Sequence, residues 1–177
     1  MSALEKSTDP TDTLDSNDGQ IENNDDTQQY LTFLMDGEEY GVDILSVQEI
    51  RSWEQATSIP NVPDYVKGVI NLRGTIVPII DLRTRFGIVQ EEYSRITVVI
   101  VLKIKTSKGE RITGIVVDAV SDVYSLATEN MRSPPDVSSH VNTDFIKGLI
   151  NVKEKMVILL DLDKLLDIEK IQTKIEE

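Results

Sequence analysis

Tyr65–Arg83 reads YVKGVINLRGTIVPIIDLR, and eighty positions later Phe145–Asp163 reads FIKGLINVKEKMVILLDLD. The two align without a gap. Seven of nineteen positions are identical, among them Lys67/Lys147, Gly68/Gly148, Asn71/Asn151 and Asp81/Asp161. Others exchange like for like, such as Tyr65/Phe145 and Arg73/Lys153. A spaced internal repeat marks one supersecondary unit used twice. Each copy holds two apolar runs around a polar break, Leu72-Arg73-Gly74-Thr75 in the first and Lys153-Glu154-Lys155 in the second. Runs of strand length around a tight polar break predict a β-hairpin. Ile76 and Ile80 share one parity and Val77 and Ile79 the other, so both faces are expected to be buried, as in a small closed sheet. Pro78 lacks an N–H for the ladder, so that strand is expected to lie at an edge or to bulge there.

Upstream of each copy runs a second echo. Gly41–Ile50 (GVDILSVQEI) matches Gly114–Val123 (GIVVDAVSDV) at an offset of seventy-three. The chain therefore reads as two similar halves, about 29–92 and 93–166, each with about five short strands. Short strands with frequent turn signals place it in the all-β class. Within the first half, Tyr30–Leu34 predicts a strand, Asp36-Gly37 a hairpin turn, and Glu39–Asp43 the return strand. Ile44–Ser46 predicts a turn of helix, followed by a strand over Val47–Arg51. Alternation on that strand puts Ile50 inward, with Val47 and Glu49 together on the opposite face. Ile59–Asp64 is a proline-framed connection, and Leu82–Phe86 a short helix. Residues 96–105 and 110–118 predict a long hairpin, and 129–142 a loop containing Pro134-Pro135.

The two ends differ from this body. Residues 1–28 hold eight acids and one Lys with almost nothing apolar, which predicts a disordered acidic tail, with an interaction arm as the alternative. In residues 163–177, Leu165, Leu166, Ile168, Ile171 and Ile175 recur at helical spacing and predict a C-terminal helix.

Composition narrows the function. The chain has 177 residues, no Cys and a formal net charge of −13. The missing thiols exclude a disulfide framework and fit a reducing compartment. Strong acidity argues against phosphate-directed nucleic-acid binding and against anionic membrane surfaces. No apolar run approaches the about 20 residues of a membrane span, and the first residues lack the apolar core of a signal peptide. A cytoplasmic location is expected.

Catalytic chemistry has no obvious seat. The single His140 sits in a polar loop with no nucleophile motif and no second His for a metal site. Phosphate loops and nucleophile elbows are absent. Asp81 and Asp161 could pair as acids, but their equivalence in the repeat favours helix caps. Gly41, Gly68, Gly74, Gly114 and Gly148 do not cluster and read as bends in curved strands. No enzyme, cofactor or metal is expected. What remains is apolar strand surface, which either packs the halves together or meets a partner; spacing does not choose.

YGVDILSVQEIR, IPNVPDYVKGVINLRGTIVPIIDLR and GIVVDAVSDV together resemble the CheW family of bacterial chemotaxis coupling proteins. The likeness covers about 29–168, and its NLRG-x-IVP-x-x-DLR run is highly specific. The same run occurs in the regulatory domain of the CheA kinase and in CheV, but no kinase or receiver sequence accompanies it here. The resemblance implies two intertwined five-stranded SH3-like β-barrels. It also implies a non-enzymatic adaptor between transmembrane chemoreceptors and the CheA histidine kinase, recruited to receptor arrays at the inner membrane. Receptor contact would involve Val47, Glu49, Arg73, Val98, Val120 and Val123, with Arg73 in the NLRG turn close to Glu49 and the receptor's cytoplasmic hairpin tip in the groove between the barrels. The kinase's regulatory domain would meet Ile59, Val62 and Tyr65, with Arg132 and Val137 as a second contact; many members carry an aromatic where Val137 stands. An adaptor of the same fold in another chemosensory pathway, controlling pili or a second messenger, is the alternative.

Overall fold

The computed structural model describes residues 26–106, 109–134 and 143–166. Its strands are β1 (Thr27–Met35), β2 (Glu38–Asp43), β3 (Val47–Ser52), β4 (Val66–Leu72), β5 (Thr75–Asp81), β6 (Val98–Thr106), β7 (Gly109–Val117), β8 (Ala119–Ala127), β9 (Ile146–Val152) and β10 (Lys155–Leu160). Short helices α1 (Leu82–Arg85) and α2 (Leu162–Leu166) follow β5 and β10, and single 3-10 turns cover Ile44–Ser46, Thr128–Asn130 and Thr143–Phe145. The strands form two five-stranded sheets, in the orders β8-β1-β2-β10-β9 and β3-β6-β7-β5-β4.

Each sheet takes strands from both halves of the chain, so the sheets do not coincide with the sequence halves 29–92 and 93–166. The repeat hairpins β4–β5 and β9–β10 form as expected, each around a two-residue turn. Each hairpin then joins the other half's echo strand through a parallel pairing, β5 with β7 and β10 with β2. These two joins are the same contact made twice, and they are what intertwines the sheets. At one end of each join Gly114 lies opposite Ile79, and Gly41 opposite Leu159. Neither glycine is a bend. An added Cβ would come within 2.6 Å of Ile79 Cδ1 at Gly114 and 2.9 Å of Leu159 Cδ2 at Gly41, so each leaves room for the facing side chain.

Both sheets are closed the same way. The segment after β3 returns to β4 through a Thr57–Val69 bridge, and the segment after β8 returns to β9 through Arg132–Leu149. Gly68 and Gly148 stand beside those bridges and let the closing segment approach. Among the described residues, apolar side chains separate into three clusters. Leu72, Val77, Ile79, Val99, Val101 and Val116 fill the second barrel, and Tyr30, Leu126, Ile150, Val157 and Leu159 fill the first. A larger central cluster, including Phe33, Tyr40, Leu82, Phe86, Ile100, Leu102, Phe145 and Leu165, lies between them.

Several expectations need correction. Pro78 is neither at an edge nor at a bulge: β5 runs between β4 and β7, and Pro78 is tolerated because the pairing with β7 begins one residue later, at Ile79. Ile76 is exposed rather than buried, since it precedes that pairing too. The acidic tail ends earlier than residue 28. Thr27 and Gln28 already pair with Ala127 and Leu126, so two polar residues are held by ladder hydrogen bonds rather than by burial. Residues 1–25, and the part of the C-terminal helix expected beyond Leu166, lie outside the described residues.

Candidate partner-docking site

The apolar positions expected at the receptor surface are best located by cross-strand register. Residues directly opposite each other in an antiparallel pair share a face. Ile50 lies opposite Ile100 and Ser52 opposite Val98, while Glu49 lies opposite Val101 and Arg51 opposite Val99. Ile100 belongs to the central cluster, and Val99 and Val101 to the second barrel. Ile50 therefore faces the joint between the sheets, and Glu49 faces the second barrel. A register shift between Val47 and Glu49 places Val47 opposite Leu102, back on the joint side. This overturns the expected alternation. Ile50 does not point into a barrel, and Val47 and Glu49 do not share a face, because the bulge re-phases the strand between them. Ile50 keeps 45% of its surface exposed and joins the candidate set, which sequence reading had missed.

The other sheet supplies the facing rim. On β8, Val120 lies opposite Phe33 and Val123 opposite Leu31, both residues of the central cluster. Val47, Val98 and Val120 pack partly buried against that cluster, whereas Val123 is exposed. Val47, Ile50, Val98, Val120 and Val123 thus line the joint from both sheets.

Glu49 and Arg73 meet as expected, at 2.7 Å between Glu49 Oε2 and Arg73 Nη2. The hairpin turn delivers the guanidinium. Arg73 and Gly74 both take left-handed φ values, 51° and 88°, the pairing that two-residue hairpins favour. Asn71 Oδ1 accepts from the Gly74 N–H at 2.8 Å and pins the turn. Since β3 and β4 are opposite ends of one sheet, the ion pair spans the mouth of the second barrel. Arg73 is 73% exposed and Glu49 only 20%, so solvent screens the pair from one side and its contribution to folding is about 0–1 kcal/mol.

The residues expected at the kinase surface fall on the barrel-closing segments. Ile59, Val62 and Tyr65 are half-buried in the connection from β3 to β4, with Val62 and Tyr65 packed against the central cluster. Arg132 is exposed on the repeat-related segment after β8. It lines an open cleft of about 530 Å³ with Leu149, Ile150, Asn151 and Met156. Val137 and His140 lie outside the described residues.

The DLR end of the first repeat copy is structural. Asp81 caps α1, its Oδ1 accepting from the Thr84 N–H at 3.2 Å, and Asp161 does the same for Lys164 at 3.2 Å. Both carboxylates are helix caps rather than an acid pair. Tyr93 donates its hydroxyl to Asp81 Oδ2, and burial together with that carboxylate holds the phenol well above its usual range. Arg83, 8% exposed, grips Asp118 with both arms, Nε to Oδ1 at 2.7 Å and Nη2 to Oδ2 at 2.6 Å. Burial opposes the Asp118 charge, but the Arg83 hydrogen bonds and the Asp36 N–H outweigh it and hold the carboxyl below its ordinary range. Asp118 lies between β7 and β8, so this pair ties α1 to the point where the chain leaves one sheet for the other. Sequence reading missed it. The one signal was a break in the repeat, where Arg83 is matched by Asp163.

The CheW-like domain family model matches residues 29–170. The chain belongs to the CheW family of chemotaxis scaffold proteins. It is 50% identical over 144 residues to the chemotaxis protein CheW of Klebsiella aerogenes, covering 81% of this chain and 84% of that one. To the CheW of Rhizobium meliloti it is 35% identical over 143 residues, covering 81% and 90%. Its fold is similar to the crystal structure of the scaffolding protein TtCheW from Thermoanaerobacter tengcongensis, with a TM-score of 0.71, 34% identity, and coverage of 78% and 87%. CheW is a scaffold family rather than a catalytic one. Among the described residues of this CheW-family chain, no helix is long and apolar enough to cross a membrane.

Proposed function

We propose that this CheW-family chain is a non-enzymatic cytoplasmic adaptor that couples transmembrane chemoreceptors to a CheA-type histidine kinase. The receptor's cytoplasmic hairpin tip docks on the joint lined by Val47, Ile50, Val98, Val120 and Val123. The kinase's regulatory domain docks on the closing segments, through Ile59, Val62 and Tyr65 and through the loop that carries Arg132 and Val137. The observation that carries this reading is the two-sided apolar rim. Both sheets turn Val and Ile side chains toward one joint and leave Ile50 and Val123 open, the form that an amphipathic helix fits. The Glu49–Arg73 pair, on the opposite face of β3 at the mouth of the second barrel, supplies fixed charges beside that rim for orientation.

Glu49→Lys tests it. The fold should survive, with a loss of about 1 kcal/mol in urea unfolding, because Arg73 is largely solvated. Receptor-fragment binding should weaken by about 2 kcal/mol or more, since a repelled charge at a docking surface goes unpaired. Receptor-dependent kinase activation should fall with it, while binding to the isolated regulatory domain should change little. A folded Glu49→Lys protein that still couples receptor to kinase normally would remove the ion pair from the site.

A further inference from the structure

Arg85 has no counterpart in the second repeat copy, where Leu165 stands eighty positions on. Its guanidinium lies between two repeat-related rings, 4.6 Å from the Tyr65 centroid and 4.5 Å from that of Phe145. Its Nε donates to the carbonyl of that same Leu165 at 3.0 Å. One side chain therefore touches both members of the Tyr65/Phe145 pair and its own repeat equivalent, which places it on the approximate two-fold axis relating the sheets. Tyr65 leads into β4 of the second sheet, Phe145 into β9 of the first, and Leu165 sits in α2 after β10. The contact crosses the joint.

The central cluster holds the sheets together but does so without direction, because apolar contact is indifferent to angle. A guanidinium is directional. Its plane offers two faces for two rings, and its edge offers N–H groups in that plane. We propose that Arg85 is a positioning residue that fixes the angle between the two sheets. It thereby sets the width of the apolar joint and its placement relative to the Tyr65 surface. The consequence for partners rests on the adaptor reading; the effect on the angle does not.

The chain has no Cys, so two introduced thiols can be labelled without background. Ile76 and Met156 are repeat-related, exposed, and placed one on each sheet, on β5 and β10. With spin labels at Ile76→Cys and Met156→Cys, the distance distribution should be narrow in the Arg85 chain and broadened or shifted by Arg85→Lys. That substitution keeps the charge but loses the flat guanidinium that stacks on two rings while its edge donates to a carbonyl. Arg85→Met should do the same; if it fails to fold, the lysine variant carries the test. An unchanged distribution in folded Arg85→Lys overturns the proposal. A second arm measures receptor-fragment affinity with and without the kinase regulatory domain. Arg85→Lys should reduce the ratio of the two affinities by about fivefold or more, while each partner alone still binds. Equal loss of both affinities, with the ratio kept, would mark Arg85 as merely stabilising and overturn its positioning role. If the Arg85 chain binds neither fragment, the adaptor reading fails, and the label distances still decide whether Arg85 sets the angle.

Discussion

Gly68→Ala is expected to lower the unfolding free energy by about 3–5 kcal/mol, far more than the same change at Gly148. The two glycines are repeat-equivalent and serve the same closure, but their surroundings differ. At Gly68 an added Cβ would lie 2.1 Å from the Thr57 carbonyl oxygen and 2.6 Å from its carbon, and φ is +139°. Backbone held in a bridge cannot retreat, and an L side chain at that φ is strained in any case. At Gly148 the nearest atoms are Met131 Cγ at 2.3 Å and Sδ at 2.6 Å, both on a flexible side chain rather than backbone, with the Arg132 carbonyl at 3.2 Å. Met131 can swing away, so Gly148→Ala should cost about 1–2 kcal/mol. Urea unfolding of the two variants checks the asymmetry. Equal losses would mean that the Thr57 backbone yields at Gly68 as readily as the Met131 side chain does at Gly148.

Asp118→Ala should cost about 3 kcal/mol at neutral pH, because it strands a buried guanidinium. Arg83 would keep the Val89 carbonyl at 2.9 Å, Glu91 at 3.5 Å and Asp36 at 3.6 Å, none of which replaces two short bonds to one carboxylate. The lost stability carries a pH signature. The folded-state pKa of Asp118 is depressed, so its contribution is present above the unfolded value of about 3.9 and is lost as pH falls through the lower folded value. The gap between parent and variant should therefore be full at pH 7 and shrink below about pH 4. A gap independent of pH down to about 2 would mean that Asp118 acts by packing rather than by charge.

What could be read from the chain beforehand follows from what each signal measures. The hairpins were legible because Lys67, Gly68, Asn71 and Asp81 recur at one fixed spacing in both copies. The exchange of strands between halves is not written in any residue's neighbourhood, since β5 meets β7 and β10 meets β2 across long stretches of chain. Glu49 and Arg73 were matched correctly, although barrel closure rather than alternation on β3 brings them together. Val47 was put on the face of Glu49 because alternation assumes constant register, and one bulge between them breaks it; Ile50 was turned into a barrel because its apolar side chain was read as core, whereas it faces the joint. Thr27 and Gln28 were given to the acidic tail because composition cannot register a ladder partner such as Ala127 or Leu126. The Arg83–Asp118 pair joins residues outside any shared pattern, and the only trace it leaves is a charge reversal at Asp163.

The central claim is that receptor and kinase occupy different surfaces of one scaffold, the receptor on the joint between the sheets. Backbone and methyl resonances of the labelled chain, followed while unlabelled receptor hairpin fragment or kinase regulatory domain is added, test this most directly. Receptor fragment should shift Val47, Ile50, Val98, Val120 and Val123 and leave Ile59 and Arg132 in place. The regulatory domain should shift Ile59, Val62, Tyr65 or Arg132 and leave Ile50 and Val123 in place. Receptor-induced shifts confined to the closing segments, or one common surface perturbed by both partners, would contradict the account.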